Sequence, residues 1–175
     1  MDNKVLNTRT LIIIAAIAGA AVMRLLPHWP NFTPVAAMAL FSGAYMSRKS
    51  FAFLIPLAAM LLSDLIIGFH STMIAVYAGM VATVLIGFWL SNRVKAGNVV
   101  LASITSTLAF FLITNFGSWM SGMMPYTKDF SGLMQAYIAG LPFMFNGLMG
   151  DLFYSAIFFG GFYLVSKKFP AAVNA

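Results

Sequence analysis

The side chains with the clearest chemical potential in this sequence are two aspartates inside long apolar stretches, Asp64 and Asp151. Placing an Asp at the centre of a membrane helix costs about 2.5–3.5 kcal/mol on insertion scales, so each acid needs a reason to be there. Arg24, near the end of the first apolar stretch, is a candidate partner for either one. We therefore weigh two roles, a structural ion pair of Arg24 with Asp64 or Asp151 and a polar floor for a ligand site. Two acids and one base leave one carboxylate for hydrogen-bond donors or a ligand.

Two histidines lie in short segments that restrict their positions. His28 belongs to a segment, residues 27–34, that contains three prolines, and His70 follows a glycine turn at residues 68–69. Prolines fix the backbone before any ligand arrives. Because imidazole is the commonest metal ligand, His28 or His70 is a candidate donor to the metal of a bound ligand. The alternative is that both are ordinary surface residues.

Aromatic and amide side chains complete the candidate ligand site. Trp29 and Phe32 flank His28 closely, and their alternative role is to anchor the chain at a membrane surface. Flat rings can also stack on an aromatic vitamin. The full candidate ligand-binding set is His28, Trp29, Asn31, Phe32, Asp64, His70, Asn115, Trp119, Asn146 and Asp151.

No established catalytic or intrinsic metal-binding motif is present in the sequence. It has no His-Glu-x-x-His helix, no glycine-rich phosphate loop and no Gly-x-Ser-x-Gly elbow. With no cysteine, thiolate nucleophiles and thiolate metal ligands are excluded. We do not predict an enzyme. The alternative is a membrane enzyme on a lipid or isoprenoid substrate that uses Asp64, Asp151 and a histidine.

The composition is that of an integral membrane protein. Hydrophobic residues make up 61% of the 175 residues and charged residues 8%, and the mean hydropathy is +0.91. A soluble domain has about 45–50% apolar and 25% charged residues. The length leaves room for one membrane bundle, so residues 1–175 form a single predicted domain.

The basic residues alternate along the chain and predict a topology. They cluster at Lys4 and Arg9, at residues 48–49 and 93–95, and at residues 167–168. Short loops rich in Lys and Arg stay in the cytoplasm, which predicts an all-α bundle of six transmembrane helices with both termini inside. The net charge of +6 therefore reflects topology and not nucleic-acid binding. The predicted spans are approximately residues 10–26, 33–46, 51–69, 72–90, 99–116 and 143–165, with a short interfacial or re-entrant helix at residues 130–141.

The first predicted span carries small residues four positions apart. Ala15 pairs with Gly19 and Ala16 with Ala20, which places each pair on one helix face. Small residues let a second helix approach closely in a membrane. These four residues form a candidate docking face for a partner protein, and the alternative is packing within the bundle.

The chain resembles a family of small bacterial membrane proteins of unassigned function. The resemblance is carried by residues 24–37, residues 61–72, Thr114-Asn115-Phe116-Gly117 and Gly150-Asp151. With its six predicted spans, the chain is similar to the S-components of energy-coupling-factor vitamin transporters. The resemblance implies cobalamin among the candidate substrates, with His28 or His70 as axial donor to its cobalt or to the iron of a haem. That resemblance implies a vitamin pocket under the outer loops and contact of the first helix with a transmembrane coupling subunit and its ATPases.

These features predict a protein of the bacterial cytoplasmic (inner) membrane that captures a vitamin-like molecule, cobalamin or another cofactor, from the outer side for uptake. The expected partners are that small molecule, the lipid bilayer and the coupling module. An accessory membrane subunit whose outer face is an interface is a further alternative. An enclosed polar pocket would favour the binding function.

Overall fold

The computed structural model describes residues 8–122 and 124–170, and within these ranges the regular structure is entirely helical. There are six helices: α1 Thr8–Met23, α2 Val35–Tyr45, α3 Lys49–Ile67, α4 Met73–Leu90, α5 Ala96–Ser121 and α6 Phe130–Lys168. Lys4 and Met123 lie outside the described residues.

Four of these helices, α3 to α6, are long and apolar enough to cross a membrane. The other two, α1 and α2, are shorter apolar helices. At 1.5 Å per residue, the 11 residues of α2 span roughly 16 Å, against about 30 Å for the hydrocarbon core of a bilayer. The architecture is therefore an all-helical, membrane-type bundle with four long apolar spans, and the six-span count remains a prediction.

The prediction of a separate short helix before the last span is wrong. Residues 130–141 form the beginning of α6, which continues through Pro142 to Lys168 with a π-helical segment at Ala156–Gly160. Gly140 and Pro142 suggested a break, but proline is tolerated inside membrane helices. Gly140 instead permits close contact with α5, since an added Cβ would lie 2.4 Å from Asn115 Oδ1.

Helix α2 occupies the centre of the bundle and contacts the five other helices. Its ten residues from Val35 to Ala44 are all buried. The closest approach is to α4, where a Cβ added to Gly43 would lie 2.3 Å from Val84 O and 2.9 Å from the Cα of Gly87. Glycine at both positions lets the two backbones touch.

Contacts between helix ends place Arg9, Lys49 and Lys95 at one end of the bundle. Arg9 donates to Tyr45 O at 3.1 Å, and Lys49 lies 5.8 Å from the centre of the Phe88 ring. At the other end, the end of α1 meets the end of α3. We call these the basic end and the opposite end. Their orientation relative to a membrane remains a prediction.

The small residues of α1 divide between two faces. Ala15 and Gly19 are exposed, Ala16 is half-buried and Ala20 is buried in the bundle. No atom lies within 4 Å of a Cβ added to Gly19. Ala20 therefore packs within the bundle, and the outward part of the proposed docking face is Ala15 and Gly19.

Candidate functional site

A cavity of about 210 Å³ lies in the half of the bundle nearest the opposite end. We call it the Asp151 cavity. The α1–α2 loop (residues 24–34) contributes Arg24 and Asn31, and helices α2 to α6 supply the walls. Every helix after α1 thus contributes to one enclosure, which is the arrangement of ligand sites between the helices of bundles.

Arg24 and Asp64 form an ion pair beside this cavity. Arg24 Nη1 lies 2.5 Å from Asp64 Oδ1 and also donates to Ser63 Oγ at 2.5 Å. The hydroxyl of Tyr77 donates to the second carboxylate oxygen, Asp64 Oδ2, at 2.8 Å. Asp64 is 0% exposed, so its charge is balanced by Arg24 and its two oxygens are both occupied. Asp64 thus links Arg24, after the end of α1, to Tyr77 of α4, and it is not among the residues that line the cavity.

Asp151 is the carboxylate that lines the cavity. It is 6% exposed, and its Oδ2 accepts a hydrogen bond from Thr107 Oγ1 at 2.7 Å. Within residues 8–122 and 124–170 it has no ion-pair partner. A carboxylate can accept about four hydrogen bonds, so Asp151 retains acceptor capacity for a ligand. Of the two buried acids, Asp151 is therefore the one that does not pair with Arg24.

The walls of the cavity combine two amide side chains, Asn31 and Asn115, with aromatic rings. Asn115 donates through Nδ2 to Phe111 O at 3.0 Å. Phe110, Phe111 and Phe143 supply the aromatic surface. Arg24 also reaches the cavity, so a positive and a negative side chain both line it. A ligand that fits would be flat, with polar groups at its edge.

The α1–α2 loop is held against α6 by aromatic contacts and a close backbone approach. The Phe32 ring lies 5.7 Å from that of Phe153 and 5.8 Å from that of Tyr154, centre to centre. A Cβ added to Gly150 would lie 3.1 Å from the Cα of Phe32. Asn31 adopts a left-handed backbone, φ 61°, a conformation that Asn tolerates better than most residues. Phe32 thus positions the loop.

Comparison with protein families gives one match to nearly the whole chain. Residues 4–172 match a family of unknown function, DUF6580. The chain belongs to this family. No curated protein and no solved structure matches it. The function of this DUF6580 member must therefore be argued from its own geometry.

The remaining candidate ligand residues lie away from the Asp151 cavity. His28, Trp29 and Phe32 line a separate surface depression of about 550 Å³ together with Tyr154, and Trp29 is 74% exposed there. His70 is exposed, with Nδ1 2.9 Å from Thr72 Oγ1. The structure therefore divides the predicted site into two places and leaves His70 outside both.

The last two candidates, Trp119 and Asn146, also lie outside the lining of the Asp151 cavity. Trp119 Nε1 donates to Thr127 O at 2.8 Å, and Lys128 Nζ lies 5.2 Å from the centre of the Trp119 ring. These contacts tie the end of α5 to the loop before α6. Asn146 is half-buried and is not among the residues that line the Asp151 cavity.

Sequence reasoning missed most of the α5 wall. Thr107, Phe110, Phe111 and Thr114 line the cavity together with Asn115. Their spacing of three and four residues places them on one face of a helix, a signal already present in the sequence. It went unrecognised because α5 carries small polar residues on both its exposed and its buried faces, so that one face did not stand out.

Proposed function

We propose that this protein is a membrane-embedded binding protein that captures a small vitamin-like molecule at the opposite end of the bundle, taken as the outer side, for uptake into the cell. The observation that carries the proposal is Asp151, a buried carboxylate that lines a cavity and has no ion-pair partner among the described residues. Ionisable side chains inside membrane helices commonly mark substrate pathways. The same function is what the S-component resemblance suggested by the sequence would imply.

The cavity favours a small heterocycle over a macrocycle. Its volume of about 210 Å³ lies below the roughly 300–1,000 Å³ of pockets for drug-sized ligands. A single aromatic ring with polar substituents, such as a pyrimidine or thiazole, suits this size and the phenylalanine walls. Asp151 would accept from a donor or cationic group of the ligand, and Arg24 has donors for an acceptor group.

Cobalamin or haem would have to bind elsewhere on the molecule. The depression beside His28 is larger, about 550 Å³, and its lining includes Trp29 and Phe32. A metal-centred ligand with His28 as axial donor belongs to this depression. Binding there would shift the visible spectrum of the ligand, and that shift would be lost in His28→Ala.

The alternative of a lipid or isoprenoid enzyme gains no support from the geometry. It requires Asp64, Asp151 and a histidine to act together. Asp64 is enclosed by Arg24 and Tyr77, and neither histidine is among the residues that line the Asp151 cavity. The groups that acid–base chemistry would need are thus dispersed.

The proposal includes a partner and a location. Ala15 and Gly19 present an exposed small-residue surface on α1, which is the type of surface that a membrane helix can approach closely. We propose a coupling subunit with ATPases as its partner, in the bacterial inner membrane.

The test is a binding panel on the purified protein with matched charge-neutralised variants. Thiamine, riboflavin, pyridoxine, nicotinate, biotin, cobalamin and haem are titrated calorimetrically. We expect one small ring compound to bind, and Asp151→Asn to weaken it at least tenfold, since a hydrogen bond to a charged group contributes about 1.5–3 kcal/mol. Asp129→Asn makes the same chemical change at the start of α6, outside the cavity lining, and should leave affinity unchanged. Equal binding by the Asp151 variant would overturn the assignment.

A further inference from the structure

A second opening lies between α5 and α6 at the basic end of the bundle. It is a groove of about 610 Å³. Its lining includes Lys95, which precedes α5, Val99 and Ser103 of α5, and Ser155 and Phe159 of α6. We call it the Ser155 groove. The Asp151 cavity and the Ser155 groove are thus built on consecutive parts of α5 and α6.

A thin layer of polar residues separates the two openings. Thr107 Oγ1 donates to Asp151 Oδ2 at 2.7 Å, and Ser103 Oγ donates to Ser155 Oγ at 3.0 Å. The first pair lines the Asp151 cavity and the second lines the Ser155 groove. On each helix the two members are four residues apart, which corresponds to roughly 6 Å along the axis. We call these four residues the polar seam.

The polar seam contains a buried carboxylate, which sets it apart from the hydroxyl hydrogen bonds that are common between membrane helices. All four of its side chains are buried. Ser106 of α5 is also buried, and its Oγ has no hydrogen-bond partner in the part of the chain that the structure describes. A layer meant only to seal the bundle needs no carboxylate, because burying one is costly. Small hydroxyl side chains also leave less bulk between the openings than Leu or Phe would.

Helix α6 is irregular beside the Ser155 groove, where it would have to bend to open a path between the two openings. The π-helical segment Ala156–Gly160 begins directly after Ser155, and Ala156 and Gly160 both line the groove. Single π-helical turns inside α-helices are frequent at functional sites, and they also permit bending. Among the described residues, no neighbouring element has an atom within 4 Å of a Cβ added to Gly160, so no other helix packs against α6 at this exposed residue.

From this arrangement we infer that the transported molecule crosses the bundle between α5 and α6, with the Asp151 cavity and the Ser155 groove as the two vestibules and the polar seam as the closed gate. The inference rests on the proposed function, because it takes the Asp151 cavity as the entry. A transporter of this kind could instead carry its ligand across by moving the whole bundle. The inference differs from that mechanism, because here the path lies between two helices of one chain. Its occupant is the small polar molecule that Asp151 recognises, and a lipid chain in the groove is the competing outcome.

The chain has no cysteine, so single thiols can report access to the gate. Ser103→Cys is prepared in right-side-out and inverted membrane vesicles and treated with a cationic, membrane-impermeant methanethiosulfonate. We expect labelling from both sides, at rates at least tenfold above those of Thr105→Cys. Thr105 lies on the same helix with an exposed side chain outside both openings. Thr114→Cys, in the Asp151 cavity, should react faster from one side and identifies that side.

Labelling of Ser103→Cys from one side only, or from neither side, would overturn the inference. One-sided labelling would indicate a closed vestibule, and no labelling would indicate a groove filled by lipid. Ser155→Cys repeats the test from the other helix if the first variant does not fold. The assay needs no vitamin. Two-sided labelling without binding in the panel would therefore refute the proposed ligand alone, and binding with one-sided labelling would refute the route alone.

Discussion

Replacing Arg24 by Gln should destabilise the bundle strongly, because the partner it leaves behind is fully enclosed. Asp64 is 0% exposed and would retain the Tyr77 hydroxyl as its remaining donor. Removing one member of a buried ion pair typically costs about 3–5 kcal/mol. We expect Arg24→Gln to lose free energy of unfolding in this range.

The reverse substitution should cost less, because the two partners differ in their access to water. The Arg24 side chain is 13% exposed and reaches the Asp151 cavity, so it keeps some solvation when Asp64 becomes Asn. The loss is then closer to that of a charged hydrogen bond, about 1.5–3 kcal/mol. The double variant Arg24→Gln/Asp64→Asn has no buried unpaired charge and should be more stable than Arg24→Gln alone.

The measurement is denaturant-induced unfolding in detergent micelles, followed by tryptophan fluorescence. Tyr77→Phe provides a control that removes one hydrogen bond from Asp64 without removing its counter-charge. If the double variant unfolds at the same denaturant concentration as Arg24→Gln, the charge of Asp64 is not what destabilises that variant. The ion pair would then have no structural role.

Three other predictions follow from packing and topology. Gly87→Ala should lower the free energy of unfolding by about 1–3 kcal/mol, since the added Cβ would lie 2.5 Å from a backbone oxygen, whereas Gly97→Ala, with no atom within 4 Å, should not. Gly19→Leu should fold normally and keep ligand affinity, but uptake by cells should fall if α1 docks a partner; unchanged uptake would argue against docking. Reporter fusions after Arg48 should score cytoplasmic and fusions near His70 external, and the same location for both would refute the topology.

The apolar stretches of the sequence form helices in the structure, but hydropathy could not predict where a helix ends inside an apolar stretch. The break expected near Gly140 and Pro142 does not occur, because α6 continues through both residues. In water these residues commonly end helices, whereas in a membrane-type bundle a glycine often permits a close contact. Its contact with Asn115 depends on the position of α5, which local sequence does not specify.

The candidate site was predictable to the extent that burial of charge is unusual. Asp64, Asp151 and Arg24 stood out because charged groups in apolar stretches are costly, yet which acid pairs with Arg24 depends on how α1 and α3 meet. The histidines stood out for their chemistry, and the structure places both outside the Asp151 cavity. Thr107 did not stand out, since it is one of three threonines in α5 and hydropathy does not tell which of them faces the bundle interior.

The central position of α2 has a consequence for how the protein is made. A helix that touches all five others cannot complete its contacts until α6, four helices further along the chain, has been made. Until then an 11-residue helix, shorter than the hydrocarbon layer of a bilayer, lacks the neighbours that would shield its polar backbone ends. A chain without α6 is therefore expected to be much less stable than the complete bundle. Chains that stop before α6 should be recognised and degraded by membrane quality control.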